Sequence, residues 1–324
     1  MLSSASCRPV AEEKLPMKKL TIAPVLAAAA LLLLACSVFA VRPASAAGEP
    51  SKPLRIASTS PSITGILLAI DAPLVASAAA TPSWMTDSKG FFSQWASVAD
   101  QRQVQVLYRN LVFDIEAVIG ANPDLLVLSA TGADSAVQHQ AELEAQGIST
   151  VVVNYSNQSW QEIATTLGKA TGHEAQAQAA IKAFDDYAAQ SAARITPPKG
   201  GVSIVGYNIG GSYSIGHASS PQARLFNVLG IKVASLPPAL SREVTRSADF
   251  EFISRENLSA AISGESVFLL GATDADVQAF LADPLLANLP AVISKQVYAL
   301  GPTSFRIDYY SGRQMIDTIA RNLR

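Results

Sequence analysis

Short runs rich in apolar residues alternate along this chain with longer stretches whose apolar positions recur at helical spacing. The runs lie at residues 54–58, 75–78, 125–128, 150–153, 202–207, 231–234, 267–270 and 297–300. Each run stands beside a helical stretch, which is typical of a parallel sheet covered by helices. The pattern therefore predicts an α/β fold.

Residues 171–194 differ from the rest because they contain no proline and no glycine after Gly172, and their apolar positions follow a helical period. The Pro/Gly-rich residues 196–201 follow directly. We therefore expect one long helix, at 171–196, between two Rossmann-like lobes at 48–170 and 197–324. A single connecting helix would permit only a small hinge motion.

A short pattern occurs twice and supports this division. In the first copy, Glu116 precedes a buried run and an Ala-Thr sequence that leads to Asp134; in the second, Glu256 precedes a buried run and an Ala-Thr sequence that leads to Asp274. Two separated copies indicate two similar lobes. Two-lobed proteins bind their ligands between the lobes.

Within the lobes, the pattern predicts a helix that begins after Ser60 or Ser62 and a helix at 221–229 that ends at Gly230. Residues 210–216, which start with two glycines, are expected to form a loop, and residues 306–323 a terminal helix.

The first 47 residues have the features of a secretory signal peptide. Two lysines follow Met17, an Ala/Leu-rich run occupies 20–41, and small residues surround Ala46. We expect cleavage and export to the periplasm, with Met17 as an alternative start. Two other interpretations remain: a membrane anchor, and a lipoprotein acylated at Cys36.

The charge of the exported part argues against nucleic acid as a partner. Of 24 basic and 26 acidic residues, five basic and two acidic ones precede Gly48, which leaves 19 basic against 24 acidic and a net charge of −5. Cys7 and Cys36 both lie in the leader, so the exported part has no disulfide.

Enzyme and metal motifs are missing from the sequence. It contains no Gly-x-Ser-x-Gly elbow and no P-loop lysine, and His139, His173 and His217 are isolated from one another. We therefore expect no catalytic site, no cofactor and no metal bound by protein side chains.

Arginine and aromatic residues are concentrated instead in the predicted loops. Guanidinium groups bind oxyanions and stack on rings, so these residues are candidates for an anionic, aromatic ligand. Two alternatives remain: Tyr309 packs the terminal helix, and Arg242 and Arg246 are surface charges. The candidates are Arg109, Tyr207, Tyr213, Arg242, Arg246, Arg306 and Tyr309.

Five segments resemble the ferric-enterobactin-binding proteins of enteric bacteria, within the wider class of binding proteins for siderophores, haem and cobalamin. The segments are 67–73, 128–132, 288–292, 295–301 and 305–311. The resemblance implies a class III periplasmic binding protein fold. It also implies a monomer that carries a ferric catecholate siderophore to an inner-membrane ABC permease dimer with its ATPase, the iron being held by the siderophore.

By the same resemblance, Arg306 is a pocket residue, and Glu116 and Glu256 dock on arginines of the permease. The alternative for each glutamate is a solvated residue in the first turn of a helix.

The chain also departs from that family. It lacks the β-hairpin that usually precedes the first lobe, has Trp84 and Met85 in a loop where the family has an arginine, and has Ile215 near the family's pocket tryptophan. We expect Trp84 to supply an aromatic face and Arg109 the missing charge. Open alternatives are a ferric hydroxamate, haem bound through Tyr213 or His217, a corrinoid, and an exported hydrolase.

Overall fold

A computed structural model describes residues 54–242, 244–246 and 249–324. In this part of the chain the first sheet has five strands, all parallel, in the order β3-β2-β1-β4-β5. Strand β4 lies in the sheet interior and is buried throughout. The strands are β1 (Ile56–Ser58), β2 (Leu74–Ser77), β3 (Gln105–Val106), β4 (Leu125–Ser129) and β5 (Ser149–Val153).

The second sheet, within the same described residues, has six strands in the order β11-β10-β6-β7-β9-β8. The pairs β11/β10 and β10/β6 are parallel, whereas β7, β9 and β8 are antiparallel to their neighbours. The strands are β6 (Val202–Ile209), β7 (Ser212–Gly216), β8 (Thr245–Arg246), β9 (Phe250–Ile253), β10 (Ser266–Leu269) and β11 (Val297–Ala299).

Two expectations about this sheet were wrong. Residues 210–216 are not a loop, because β6 and β7 form a hairpin whose turn has positive φ at Asn208, Gly210 and Gly211. The predicted strand at 231–234 makes only an isolated bridge between Val233 and Val202, so it does not extend the sheet.

Helices cover both sheets. The helix predicted at 221–229 is present in the second lobe as α7. It follows the N-cap Ser220, whose hydroxyl accepts a hydrogen bond from the Ala223 amide. The helices are α1 (Pro61–Ala69), α2 (Ala96–Gln101), α3 (Ile115–Ala121), α4 (Gln140–Ala145), α5 (Trp160–Thr171), α6 (Glu174–Ala192), α7 (Pro221–Val228), α8 (Leu258–Ala261), α9 (Asp274–Ala282), α10 (Pro290–Ile293) and α11 (Tyr309–Asn322).

The long helix between the lobes is α6. It begins at Glu174, because Gly172 adopts a left-handed conformation (φ 71°) that ends α5 and separates Thr171 from α6. Two α/β lobes joined by one long helix confirm the predicted fold class. The proposed lobe limits stay a prediction, and the predicted leader at 1–47, with Met17 and Cys36, lies outside the described residues.

The terminal helix α11 begins at Tyr309 rather than at Arg306, because Asp308 caps it and accepts bonds from the amides of Tyr310 and Ser311. It packs against α1 and α6. Its buried residues Met315, Ile316 and Ile319 belong to one apolar cluster that includes core residues of both sheets, among them Ile56 and Phe268. No helix in the described part of the chain is both long and apolar enough to cross a bilayer.

Candidate functional site

A small cavity lies between the lobes, beyond the carboxyl ends of β1, β5 and β11. Its volume is about 20 Å³. The first lobe contributes Ser62 and Tyr155, and the second contributes Asp249, Phe305 and Arg306. Loops that follow parallel strands therefore bring the two lobes together at the position where this class of fold binds ligands.

Arg306 is held in this cavity by two aromatic rings. Its Cζ lies 4.6 Å from the ring centroid of Phe305 and 5.1 Å from that of Tyr155. Among the described residues its guanidinium makes no hydrogen bond, and Nη1 lies 3.8 Å from the carboxylate of Asp249. The side chain is 29% exposed, so its donors remain available to an anion.

A buried carboxylate, that of Asp134, fixes the position of the Tyr155 side chain. Its hydroxyl donates to Asp134 Oδ1 at 2.6 Å, and the Ser60 hydroxyl donates to Asp134 Oδ2. Burial, and then the charge of Asp134, raise the pKa of Tyr155, so the phenol stays protonated. Ser60 stands at the N-cap of α1 but does not cap it with its side chain, because its hydroxyl is used here.

Two buried acceptors face the same cavity. Gln222 donates from Nε2 to the carbonyls of Ser304 and Phe305, at 3.0 and 3.1 Å, which fixes the segment before Arg306. Within the described residues, Gln222 Oε1 and Asp249 Oδ1 have no hydrogen-bond partner. Burial raises the pKa of Asp249, and Arg306, Arg224 and His217 counteract part of that increase.

A larger cavity of about 390 Å³ lies where the Trp84 loop reaches the second lobe. Trp84 is 51% exposed and lies over Gly271, and Tyr207 also lines this cavity. Tyr207 donates to Asp283 at 2.9 Å and packs edge-on against Tyr213, with ring centroids 5.5 Å apart. Burial, with Asp283, raises the pKa of Tyr207 to about 12.

The other predicted ligand residues do not meet in one place. Arg109 is exposed and donates to the carbonyl of Lys89 at 3.2 Å, and Arg242 is exposed in a turn. Arg246 lies in the edge strand β8, opposite Glu251. Tyr309 packs edge-on against Trp160 in the region between the lobes. Their roles in ligand binding stay predictions.

Glu116 and Glu256 occupy equivalent places in the two lobes. Both are exposed in the first turn of a helical segment that leads into a buried strand, β4 in the first lobe and β10 in the second. Within the described residues, neither carboxylate forms an ion pair. Both charges are therefore available on the surface.

Three residues of this site, Asp134, Tyr155 and Asp249, were not predicted from the sequence. Asp134 belongs to the repeated pattern, but its counterpart Asp274 is exposed, so the repeat did not distinguish a buried acceptor from a surface charge. Tyr155 follows the predicted strand at 150–153, and residues that follow parallel strands are the signal that could have identified it.

The described residues contain no group of three or more His, Cys, Asp or Glu side chains that could hold a metal ion. Each of the three histidines contacts a different partner. His139 stacks on Phe113 with ring centroids 4.1 Å apart, His173 bonds to the Thr171 carbonyl, and His217 bonds to the Ser219 hydroxyl.

Comparison with known proteins agrees with this architecture. Residues 56–303 match the family described as periplasmic binding protein. The chain belongs to the periplasmic binding protein family. It is 42% identical over 273 residues to the ferric enterobactin-binding periplasmic protein FepB of Escherichia coli O6:H1, covering 83% of this chain and 85% of that protein. The resemblance seen in the sequence is thus confirmed.

Solved structures support the same conclusion. The structure of holo-ViuP superposes with a TM-score of 0.75 at 41% identity, covering 85% of this chain and 90% of that one. FhuD from Vibrio cholerae, solved with bound Fe³⁺–Desferal, has a TM-score of 0.62 at 16% identity, covering 84% and 98%. At that identity the likeness to FhuD shows the fold alone.

Proposed function

We propose that this protein is the exported binding component of an ABC importer and that it carries a ferric catecholate siderophore between its lobes. The observation that carries the proposal is the position of Arg306: its half-buried guanidinium lies between two rings at the lobe junction and makes no hydrogen bond to any described residue. The 42% identity to a ferric enterobactin-binding protein supports this ligand class.

The ligand chemistry fits these residues. In a ferric tris-catecholate the catechol oxygens already enclose the iron, so the protein needs donors and aromatic faces rather than metal ligands. The guanidinium of Arg306 can bond to catecholate oxygens, and the rings of Tyr155, Phe305 and Trp84 can contact catechol rings. In this proposal the protein is a carrier that acts without a cofactor and catalyses no reaction.

Binding requires the lobes to move apart. The cavity at Arg306 holds about 20 Å³, whereas pockets for ligands of this kind measure roughly 300–1,000 Å³. Trp84 reaches across to Gly271, so an opening motion would first separate these two residues. The apolar cluster that spans both lobes limits this motion to a small hinge rotation.

Delivery to the membrane follows from the same assignment. The protein works in the periplasm as a monomer, and the exposed carboxylates of Glu116 and Glu256 meet arginines on the two permease subunits. One docking residue on each lobe would let the permease sense how far the lobes are closed.

The test is quenching of the intrinsic fluorescence of the purified exported protein by ferric enterobactin. Iron-free enterobactin, a ferric hydroxamate and haemin are titrated in parallel. Saturable quenching by the ferric catecholate alone is expected. Arg306→Ala should weaken it by roughly 10- to 100-fold, since a charge-assisted hydrogen bond is lost, whereas Arg321→Ala, an exposed arginine on α11, should not.

Two results would contradict the proposal. Binding of the hydroxamate or haemin in place of the catecholate would keep the transport role and change the ligand. Equal affinities in Arg306→Ala and Arg321→Ala would show that Arg306 does not bind the ligand.

A further inference from the structure

Asp249 places a carboxylate beside the arginine to which an anionic ligand would bind. Asp249 Oδ2 lies 3.8 Å from Arg306 Nη1, and the Asp249 side chain is only 13% exposed. An anion that approaches Arg306 therefore meets a like charge from Asp249. This feature is unexpected in a pocket that must attract a highly charged anion.

The charged and titratable groups that face Asp249 come from several elements. They are Arg306, Arg224 on α7, and His217, which follows β7 and whose amide donates to the Asp249 carbonyl at 2.9 Å. Burial nevertheless raises the pKa of the Asp249 carboxyl above its ordinary value. Because the neighbouring basic groups offset only part of this increase, the carboxylate can take up a proton when its surroundings become more negative.

The cavity can accommodate the protonated carboxyl. Gln222 lines the same cavity and is 2% exposed, and its Oε1 has no hydrogen-bond partner among the described residues. Since its Nε2 is held by two main-chain carbonyls, the acceptor atom is the one left free. A proton on Asp249 would thus enter a cavity lined by a residue whose acceptor atom makes no hydrogen bond within the described part of the chain.

We propose that Asp249 is the counter-ion of Arg306 in the empty protein and that it takes up one proton from solvent when an anionic ligand displaces it. This inference rests on the proposed function. The ligand oxygens replace the carboxylate at the guanidinium, the carboxylate becomes a neutral carboxyl, and the site avoids two adjacent negative charges. Affinity for the anion therefore increases as the pH decreases.

Calorimetric titration with ferric enterobactin, in two buffers of different ionisation enthalpy at pH 7, measures the uptake directly. The wild-type protein is expected to take up close to one proton for each ligand bound, and Asp249→Asn clearly less. The variant should also bind on the order of 10-fold tighter at pH 7, and this advantage should shrink at pH 5. Asp186→Asn, at an exposed position of α6, is the matched control and should behave as the wild type.

Equal proton uptake by the wild-type protein and Asp249→Asn would overturn the inference while leaving the proposed function intact. A wild-type protein that does not bind ferric enterobactin would instead contradict the proposed function. A ligand-free measurement then still decides the counter-ion role. The Asp249 carboxyl carbon, followed by NMR, should titrate at higher pH in Arg306→Gln than in the wild type, and an unchanged midpoint would reject the pair.

Discussion

The Tyr155 hydroxyl donates a 2.6 Å hydrogen bond to the buried carboxylate of Asp134, and the same tyrosine ring supports the guanidinium of Arg306. Asp134 lies just beyond β4 and Tyr155 just beyond β5. Two neighbouring strands thus position Arg306, a side chain of the other lobe and the proposed ligand-binding residue.

Substitution of Tyr155 should separate the role of its ring from that of its hydroxyl. Tyr155→Phe keeps the ring and removes one bond to Asp134, so it should lower the free energy of unfolding by about 1–3 kcal/mol with little change in affinity. Tyr155→Leu removes the ring and should also weaken ferric enterobactin binding several-fold. Urea unfolding and fluorescence titration measure the two effects. Equal affinities in both variants would show that the ring does not support Arg306.

Gly271→Ala should disturb the contact between the Trp84 loop and the second lobe. Gly271 has φ 60°, and a Cβ there would lie 2.8 Å from Trp84 Cη2. The variant should lose about 1–2 kcal/mol of stability and shift the Trp84 emission, because the backbone is strained and the indole must move.

The double variant Gly271→Ala/Trp84→Ala is the control for this steric effect. The double variant should regain the stability that Gly271→Ala loses through the clash with the indole. It should not regain the stability lost through the strained backbone at residue 271. A loss that is the same with and without Trp84 would exclude the clash.

Asp308 should make stability depend on pH. Burial is the largest cause of its raised pKa, so the folded protein favours the protonated carboxyl. The contribution of this carboxyl to the free energy of unfolding is therefore fully present below its pKa in the unfolded chain, about 3.9. That contribution declines as the pH rises through its pKa in the folded protein. The stability of the wild type relative to Asp308→Asn should decrease between pH 4 and pH 7 in urea unfolding. A relative stability that increases with pH would contradict this assignment.

Glu116→Lys and Glu256→Lys should leave ligand affinity unchanged, because both carboxylates are exposed and lie outside the cavity at Arg306. Each variant should reduce siderophore uptake in cells, and the double variant should reduce it most. Glu174→Lys, at an exposed first-turn glutamate of α6, is the matched control and is expected to transport normally. Normal uptake by the double variant would assign both glutamates to the solvated surface.

Much of the fold could be predicted from periodicity. Buried runs such as 125–128 and 267–270 are continuous and apolar, because helices cover both faces of the sheet, and the structure has strands at both places. The helix at 171–194 was recognised from its composition, although Gly172 moves its start to Glu174.

The hairpin and the details of the site could not be predicted in the same way. Residues 210–216 combine turn glycines with the short strand β7, so the glycines concealed the strand. Val233 is buried and apolar, but only one bridge forms there. The pairing of Asp249 with Arg306 joins residues distant in sequence, and no local pattern encodes such a contact.

The packing of α11 against α1 and α6 also affects when the first lobe can complete its folding during synthesis. Gly312 allows the Phe184 ring to approach the helix closely, and Met315 and Ile316 are fully buried in the cluster that spans both lobes. Helix α11, which is synthesised after both sheets, thus completes the wall of the lobe that is synthesised before it. The growing chain cannot finish burying its first lobe until α11 has been made, so folding of the two lobes is coupled.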